Sequence, residues 1–195
     1  IGIVSSLAYG TVRPLWRIES GIVSRGASLP DLCRWARRHV DVERESIVGD
    51  MVVTSVIRLC SRAPIVSHPQ YESAELRRRA RLSYEFYGHR EPKHLFKVAQ
   101  QLKATYVLIN KPHCSSRVGD GSTFLSLVDR DYEAQGNTLA SSSLCNTAAN
   151  YLDGTLPYFE VARTNADFWV LRVREHADSQ SYVERALKHD GEAGG

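Results

Sequence analysis

Asp50, His68 and Asn110 each follow a short apolar segment that predicts a β-strand. In open α/β sheets, ligands bind at the carboxyl ends of the strands, so these polar side chains are the first candidates for chemistry. A carboxylate and an imidazole can work as a general acid–base pair when they are in contact. Asp50 and His68 could therefore form such a pair if their strands are neighbours. The simpler alternative is that His68 only caps a turn through a backbone contact.

Residues 62–72 form the turn that presents His68. Two β-branched residues at 65–66 favour a strand, and Pro69 ends that strand and keeps His68 out of the α region. Ser73 is then placed to cap the following helix. His68 is therefore predicted to lie at the carboxyl end of a strand, on a rigid turn.

Alternating strand and helix patterns must position these turns. Apolar residues recur at helical spacing over 29–40, 51–59 and 76–87, with strand-like segments between or after these helices. Three β-α units in succession predict parallel strands with helices on both faces, and residues 158–174 alternate in polarity around an Asn-Ala-Asp turn. We therefore predict an α/β fold: a three-layer Rossmann-like domain, with a mainly parallel central sheet and a C-terminal antiparallel hairpin at one edge.

The composition fits one globular domain of 195 residues, of which 43% are hydrophobic and 24% charged. The run at 77–81 is rich in arginine, but no aromatic residues interleave it, so it favours a solvated helix face over a nucleic-acid site. No nucleotide-binding glycine motif or nucleophile elbow follows a strand. His89, His94 and His113 lie in different predicted elements without paired i, i+4 spacing, so we predict no bound metal.

The cysteines show no CxxC spacing, so neither a zinc site nor a thioredoxin-like motif is indicated. An even number leaves disulfides possible. Cys114 and Cys145 flank the weakly periodic, Ser- and Gly-rich segment 111–143. A disulfide between these two residues would constrain that long connection in an oxidising compartment.

The two ends of the chain differ from the middle. Residues 1–16 are mostly apolar but shorter than the roughly 20 residues that a membrane helix needs. They predict either a strand or helix of the domain itself or the cut end of a transmembrane helix. We divide the chain into an N-terminal segment at 1–27, which is a juxtamembrane segment if the second alternative holds, an α/β domain at 28–176, and a C-terminal helix with a frayed tail at 177–195.

A family resemblance rests on the order of several motifs. These are Pro-Ile-Val-Ser-His-Pro-Gln-Tyr-Glu at 64–72, Tyr84 and Tyr87, Tyr-Val-Leu-Ile-Asn at 106–110 before Cys114, and Leu-Cys-Asn at 144–146. This order resembles the lumenal C-terminal domain of the Dumpy-type protein C-mannosyltransferases over roughly residues 28–175. The oligosaccharyltransferase catalytic subunits have an analogous lumenal domain, but their Trp-Trp-Asp-Tyr-Gly signature is missing from this chain.

The resemblance implies a multispanning enzyme of the endoplasmic reticulum membrane, with this domain on the lumenal side. Such an enzyme transfers mannose from dolichyl-phosphate mannose to tryptophan in WxxW-type acceptor sequences. The donor site and catalytic acid would lie in the membrane part, so no catalytic residue or cofactor is expected in this chain, which alone would be inactive. Its partners would be its own transmembrane region and secretory-pathway proteins with WxxW motifs. Residues 1–16 would then be the end of the last membrane helix.

The resemblance also suggests what the strand ends do. They would form a rim that faces the membrane part and contacts either the acceptor peptide or a neighbouring loop. The candidate rim residues are Asp50, Met51, His68, Gln70 and Tyr71. The alternative function is a soluble α/β module that binds a ligand or a protein and has no catalytic activity.

Overall fold

A computed structural model describes residues 26–68, 72–115, 124–141, 143–150, 155–156 and 158–174. The helices are α1 (Ser28–His39), α2 (Met51–Ser61), α3 (Ala74–Tyr84), a 3-10 helix (Glu85–Tyr87), α4 (Pro92–Gln101), α5 (Lys111–Ser115), α6 (Phe124–Glu133) and α7 (Leu144–Asn150). The strands are β1 (Ile47–Gly49), β2 (Tyr106–Asn110), β3 (Thr155–Leu156), β4 (Phe159–Thr164) and β5 (Phe168–Val173). The C-terminal segment 177–195, residues 1–25 of the juxtamembrane segment, Gln70 and Tyr71 lie outside the described residues.

The five strands form one mixed sheet in the order β1-β2-β5-β4-β3. β1 and β2 are parallel, and the other neighbouring pairs are antiparallel. The α/β class and the C-terminal hairpin of β4 and β5 are therefore confirmed. The expectation of a mainly parallel sheet needs correction, because Ile65 contributes only an isolated parallel bridge to Ile47. β1 has only three residues, and α2 begins two residues after it ends. The segment that contains Ile65 therefore has little strand backbone in β1 with which to pair.

Helices cover both faces of the sheet, as predicted for a three-layer domain. Side chains alternate along β2, so that Val107 and Ile109 enter one buried cluster with residues of α3, α4 and α7. Tyr106 and Leu108 enter a second cluster with residues of α1 and α2. β2 is buried along its whole length and thus forms the centre of the molecule.

The first residues of α3 and α4 carry side chains that favour the start of a helix. The hydroxyl of Ser73 accepts a hydrogen bond from the backbone N–H of Leu76, as the sequence predicted for this cap. Pro92 occupies the first turn of α4, where its missing N–H is not needed. None of the described helices is long and apolar enough to cross a membrane.

Two disulfides fasten helices to each other. Cys33 joins α1 to α2 through Cys60, with a Cα–Cα distance of 5.9 Å. Cys114 joins α5 to α7 through Cys145, with a Cα–Cα distance of 5.6 Å, and this is the pairing that the sequence singled out. Each disulfide therefore holds two helices on one face of the sheet.

The hairpin is locked to the start of α1. Asn165 Oδ1 accepts the backbone N–H groups of Asp167 and Phe168, which shapes the turn between β4 and β5. Its Nδ2 donates to Asp31, and Arg163 also reaches Asp31 at 2.7 Å. Hydrogen bonds from Asn165 and Arg163 hold the pKa of Asp31 below its usual value.

Candidate functional site

Asp50 lies between the end of β1 and the start of α2. Its Oδ1 accepts the backbone N–H of Val53 at 2.8 Å and so caps α2. Its Oδ2 lies 2.7 Å from Nε2 of His113. Asp50 is 2% exposed and His113 3% exposed. The carboxylate therefore has two partners inside the protein, one from its own helix and one from a distant part of the chain.

His113 comes from α5, which begins directly after β2. Because β1 and β2 are parallel neighbours, the residues that follow them meet at one edge of the sheet. The approach is close: a Cβ at Gly49 would lie 2.4 Å from the carbonyl oxygen of Leu108. Cys114, the next residue after His113, is tied to α7 by its disulfide. The histidine is thus held by a strand on one side and a covalent crosslink on the other.

Tyr87 completes the buried group. Its ring stands edge-on to the imidazole of His113, with 5.5 Å between the ring centroids. Its hydroxyl oxygen accepts the backbone N–H of Asn110 at 3.0 Å. Burial, and secondly the Asp50 carboxylate, raise the pKa of Tyr87 well above its usual value. The Tyr87 hydroxyl therefore stays protonated throughout the physiological range.

We call Asp50, Tyr87, Asn110 and His113 the strand-end cluster. All four are buried, so no substrate in solution reaches the carboxylate or the imidazole in this conformation. The cluster joins β1, the 3-10 helix and α5 at the carboxyl edge of the two parallel strands. Its geometry fits a rigid support for the loops at this edge rather than an acid–base centre.

The strand-end cluster differs from the pair that the sequence suggested. The carboxylate of Asp50 bonds to Val53 and His113, so the anticipated pairing of Asp50 with His68 is not formed. His68 is half-buried, and Ser67 before it contacts Ser83 of α3 through their hydroxyl groups. The strand end is therefore tied to α3 by the residue next to the histidine.

Met51 is buried in the first turn of α2, so with Asp50 it lies beneath the edge rather than on its surface. The role of the predicted rim stays a prediction for His68, Gln70 and Tyr71. Sequence reasoning missed His113 as the partner of Asp50. The available signal was its position three residues after Asn110, at the end of another strand of the predicted parallel sheet.

The arginine-rich run on α3 is largely engaged within the protein. Arg78 and Arg79 both pair with Glu75 at 2.8 Å, and these hydrogen bonds lower the pKa of Glu75 to about 2. Arg81 donates to the side chain of Gln135. This pattern agrees with the predicted solvated helix face. Within the described ranges, no group of three or more histidine, cysteine, aspartate or glutamate residues is arranged to hold a metal ion.

A family model described as "Dpy19: Q-cell neuroblast polarisation" matches residues 24–173. The human protein named "Probable C-mannosyltransferase DPY19L2" is 26% identical over 173 residues, which are 88% of this chain and 21% of that protein. The rat "Protein C-mannosyl-transferase DPY19L1" is 28% identical over 155 residues, covering 78% of this chain and 20% of that protein. This chain thus spans about a fifth of the length of these relatives.

Among solved structures, the C-terminal globular domain of the oligosaccharyltransferase from Archaeoglobus fulgidus has a similar fold. The TM-score is 0.55 at 10% sequence identity, with 78% of this chain and all of that domain covered. At this identity the likeness concerns the fold alone. The family match, by contrast, covers most of the sequence, including both disulfides and the strand-end cluster. The chain belongs to the Dpy19 family.

Proposed function

We propose that this chain is the lumenal C-terminal domain of a membrane glycosyltransferase that C-mannosylates tryptophan in WxxW-type acceptor proteins. Dolichyl-phosphate mannose is the donor in this proposal. The observation that carries it is the family match over residues 24–173, together with relatives that are named C-mannosyltransferases.

In this proposal the domain supports catalysis without supplying the reacting groups. Asp50 and His113, whose side chains are in contact in the strand-end cluster, are buried inside the protein. The donor site and the catalytic acid are assigned to the remainder of the longer protein, its membrane region. The domain covers that active site and helps to hold the acceptor polypeptide.

The proposed location is the lumenal side of the endoplasmic reticulum membrane. Two disulfides support it, because such crosslinks persist in the secretory pathway and are rare in reducing compartments. The proposed partners are the transmembrane region of the same protein and secretory-pathway proteins with WxxW motifs.

The rim proposal concerns His68 and two residues that follow it closely in the sequence. His68 lies at the end of the bridge formed by Ile65, and the chain continues into Gln70 and Tyr71. Ser67, the residue before His68, is buried and contacts Ser83 of α3 through their hydroxyl groups, which holds the chain beside His68 to a helix. We assign His68, Gln70 and Tyr71 to contact with the acceptor or with a neighbouring loop.

The experiment places the domain in its full-length enzyme and follows mannosylation of a WxxW reporter by mass spectrometry. His68→Ala and Tyr71→Phe are expected to lower mannosylation while protein abundance stays normal. His39→Ala is the matched control, because this exposed histidine lies on α1 and is not a rim residue. Unchanged mannosylation in both rim variants would remove the rim from the proposal.

A second arm tests the function itself. The full-length protein, expressed in cells that lack C-mannosyltransferase activity, is expected to restore mannosylation of the reporter. Failure to do so at normal abundance would favour a binding module without catalytic activity.

A further inference from the structure

Helix α2 carries a second apolar stripe on the side that faces away from the core. Val52, Val56 and Leu59 follow one another at spacings of four and three residues, which place them on one side of a helix. Val52 is 50% exposed and Leu59 is 84% exposed, the largest such fraction among the large apolar side chains of the described residues. The opposite side of α2 already packs on the core. The outward stripe is therefore open to a partner.

The charges beside this stripe are basic. Arg58 precedes Leu59 in α2, and Arg62 follows as the C-cap; both arginines are exposed. Within the described part of the chain, neither of them forms an ion pair with a carboxylate. Arg37 of α1 donates to the carbonyl oxygen of Cys60, which holds a third guanidinium group at the same end of the helix. Three arginines therefore surround the C-terminal end of α2.

The carboxylates that belong to α1 and α2 do not balance these arginines. Asp31 of α1 is bound by Arg163 and Asn165 of the hairpin. Asp50, the N-cap of α2, is buried and in contact with His113. The sequence of α2 itself contains no acidic residue. An anionic partner would therefore complement the surface beside the stripe.

Charge and area distinguish three kinds of partner. A second copy of this chain would bring the arginines of both copies together with no carboxylate of α2 between them. A stable protein interface buries about 800 Å² on each partner, and three aliphatic side chains on a helix of 11 residues offer much less. Lipids, by contrast, close around a projecting helix face, and their phosphates accept two parallel hydrogen bonds from a guanidinium group. The observations favour an anionic lipid surface.

We propose that α2 lies along the surface of an anionic phospholipid bilayer. Val52, Val56 and Leu59 enter the boundary between the headgroups and the acyl chains, while Arg58 and Arg62 bind lipid phosphates. The contact does not depend on mannosyl transfer, so its test is independent of the function proposed above.

The test measures co-sedimentation of the 195-residue chain with vesicles. One set contains only phosphatidylcholine, and the other contains about 30% phosphatidylserine, which supplies the negative surface potential. Binding is expected to be about tenfold or more stronger to the anionic vesicles, and to weaken as salt screens the charges. Binding should not be displaced by millimolar inorganic phosphate, because phosphate ions do not replace the apolar contact.

Variants of the stripe and of its arginines test the two parts of the contact. Leu59→Ser is expected to weaken binding about tenfold through lost apolar burial. Val52→Ser is a second variant of the stripe and should act in the same direction. The double variant Arg58→Gln and Arg62→Gln is also expected to lose about tenfold or more, since each basic side chain contributes about fivefold at an anionic surface.

Val42→Ser is the matched control. Val42 is also an exposed aliphatic residue, at 44%, but it lies outside α2 and between Asp41 and Glu43. Carboxylates are repelled by anionic lipid, so this variant should change the affinity less than about twofold. Thermal unfolding of each variant verifies that the fold is retained, which is expected because the replaced side chains are exposed.

Four results would overturn the proposal. Equal affinities in Leu59→Ser and Val42→Ser would place the lipid contact in another part of the chain. Equal binding to the two kinds of vesicle would remove the requirement for negative charge. Release of the chain by inorganic phosphate would indicate a site for free anions. Binding to an acidic amphipathic helical peptide, without binding to vesicles, would assign the stripe to a protein partner.

Discussion

Two regions of this domain pair a histidine with a buried carboxylate, and they differ in what surrounds the pair. In the strand-end cluster, Asp50 and His113 are both enclosed. Around Arg90, the carboxylate of Asp129 is buried, but His89 and a neighbouring cavity reach the surface. The same pair of residue types therefore serves as internal support in one place and borders an open cavity in the other. Enclosure, rather than residue type, separates the two roles.

The sharpest test of this comparison is His113→Ala. It leaves the buried Asp50 carboxyl group without its side-chain partner and leaves a cavity where the imidazole was; together these two effects typically cost about 3–5 kcal/mol. Urea denaturation of the 195-residue chain should show that loss as a lower midpoint. His39→Ala, at an exposed histidine whose hydrogen bond and ring stacking are both with Trp35 of its own helix, should cost no more than about 1 kcal/mol. A loss below about 1 kcal/mol for His113→Ala would contradict the supporting role of the strand-end cluster.

The covalent support of the strand-end cluster is tested by replacing Cys114 and Cys145 together with serine. Removing a native disulfide from a small domain costs about 2–5 kcal/mol, and we expect a loss of about 3 kcal/mol in the free energy of unfolding. Calorimetry under non-reducing conditions measures it. The control is the double serine variant of Cys33 and Cys60, which removes a disulfide that closes a loop of similar length. If only the double serine variant of Cys114 and Cys145 alters the NMR signal of His113, this disulfide specifically supports the strand-end cluster. Equal changes in the two variants would contradict that specificity.

Gly88→Ala tests the Arg90 region. The added methyl group would lie 2.8 Å from the side chains of Arg90 and Asp129, and overpacking of this kind costs about 1–3 kcal/mol. We expect a loss of about 2 kcal/mol in the free energy of unfolding. Urea denaturation measures this loss as a lower midpoint. Unchanged stability would show that the side chains of Arg90 and Asp129 can move to accommodate the methyl group, contrary to what their close packing indicates.

The smallest effect is expected at Asp31, a partly exposed carboxylate that serves as reference for the two buried ones. Its pKa is lower in the folded protein, so its contribution is complete above the ordinary value of 3.8 and is lost as the pH falls through the folded value. Asp31→Asn should flatten the fall in stability below about pH 4, since an amide does not titrate. Thermal unfolding between pH 2 and about pH 6 measures this slope. An unchanged slope would mean that the contact with the hairpin contributes nothing.

Much of the fold was predictable because its signals are local. The apolar segments of β1 and β2, the cap at Ser73 and the Asn165 turn each depend on a few neighbouring residues. The pairing of Cys33 with Cys60 was not predicted, because it depends on how two helices cross. The predominance of antiparallel strand pairs was also missed, since β5 pairs with β2 across more than fifty intervening residues and no local sequence pattern encodes that pairing.

The candidate site was predictable only in part. Asp50 was found because it follows a strand, but its partner sits 63 positions away, in a helix of only five residues. A helix that short has no periodicity from which to assign a face. His68 was predicted as the partner of Asp50 because of its distinctive position next to Pro69 at the end of a predicted strand. In the structure, His113 contacts Asp50 instead. Proximity in the fold, not distinctiveness of the local motif, decided which histidine meets the carboxylate.

The two disulfides lie one after the other along the chain, 33 to 60 and then 114 to 145, without interleaving. Four cysteines allow three pairings, and only this one joins each cysteine to the next available one. A chain that enters an oxidising compartment from its N-terminal end would expose its first two cysteines together, before the second two arrive. Pairing in order of arrival then gives the native crosslinks, so this domain can be oxidised correctly without first forming and then exchanging a wrong bond.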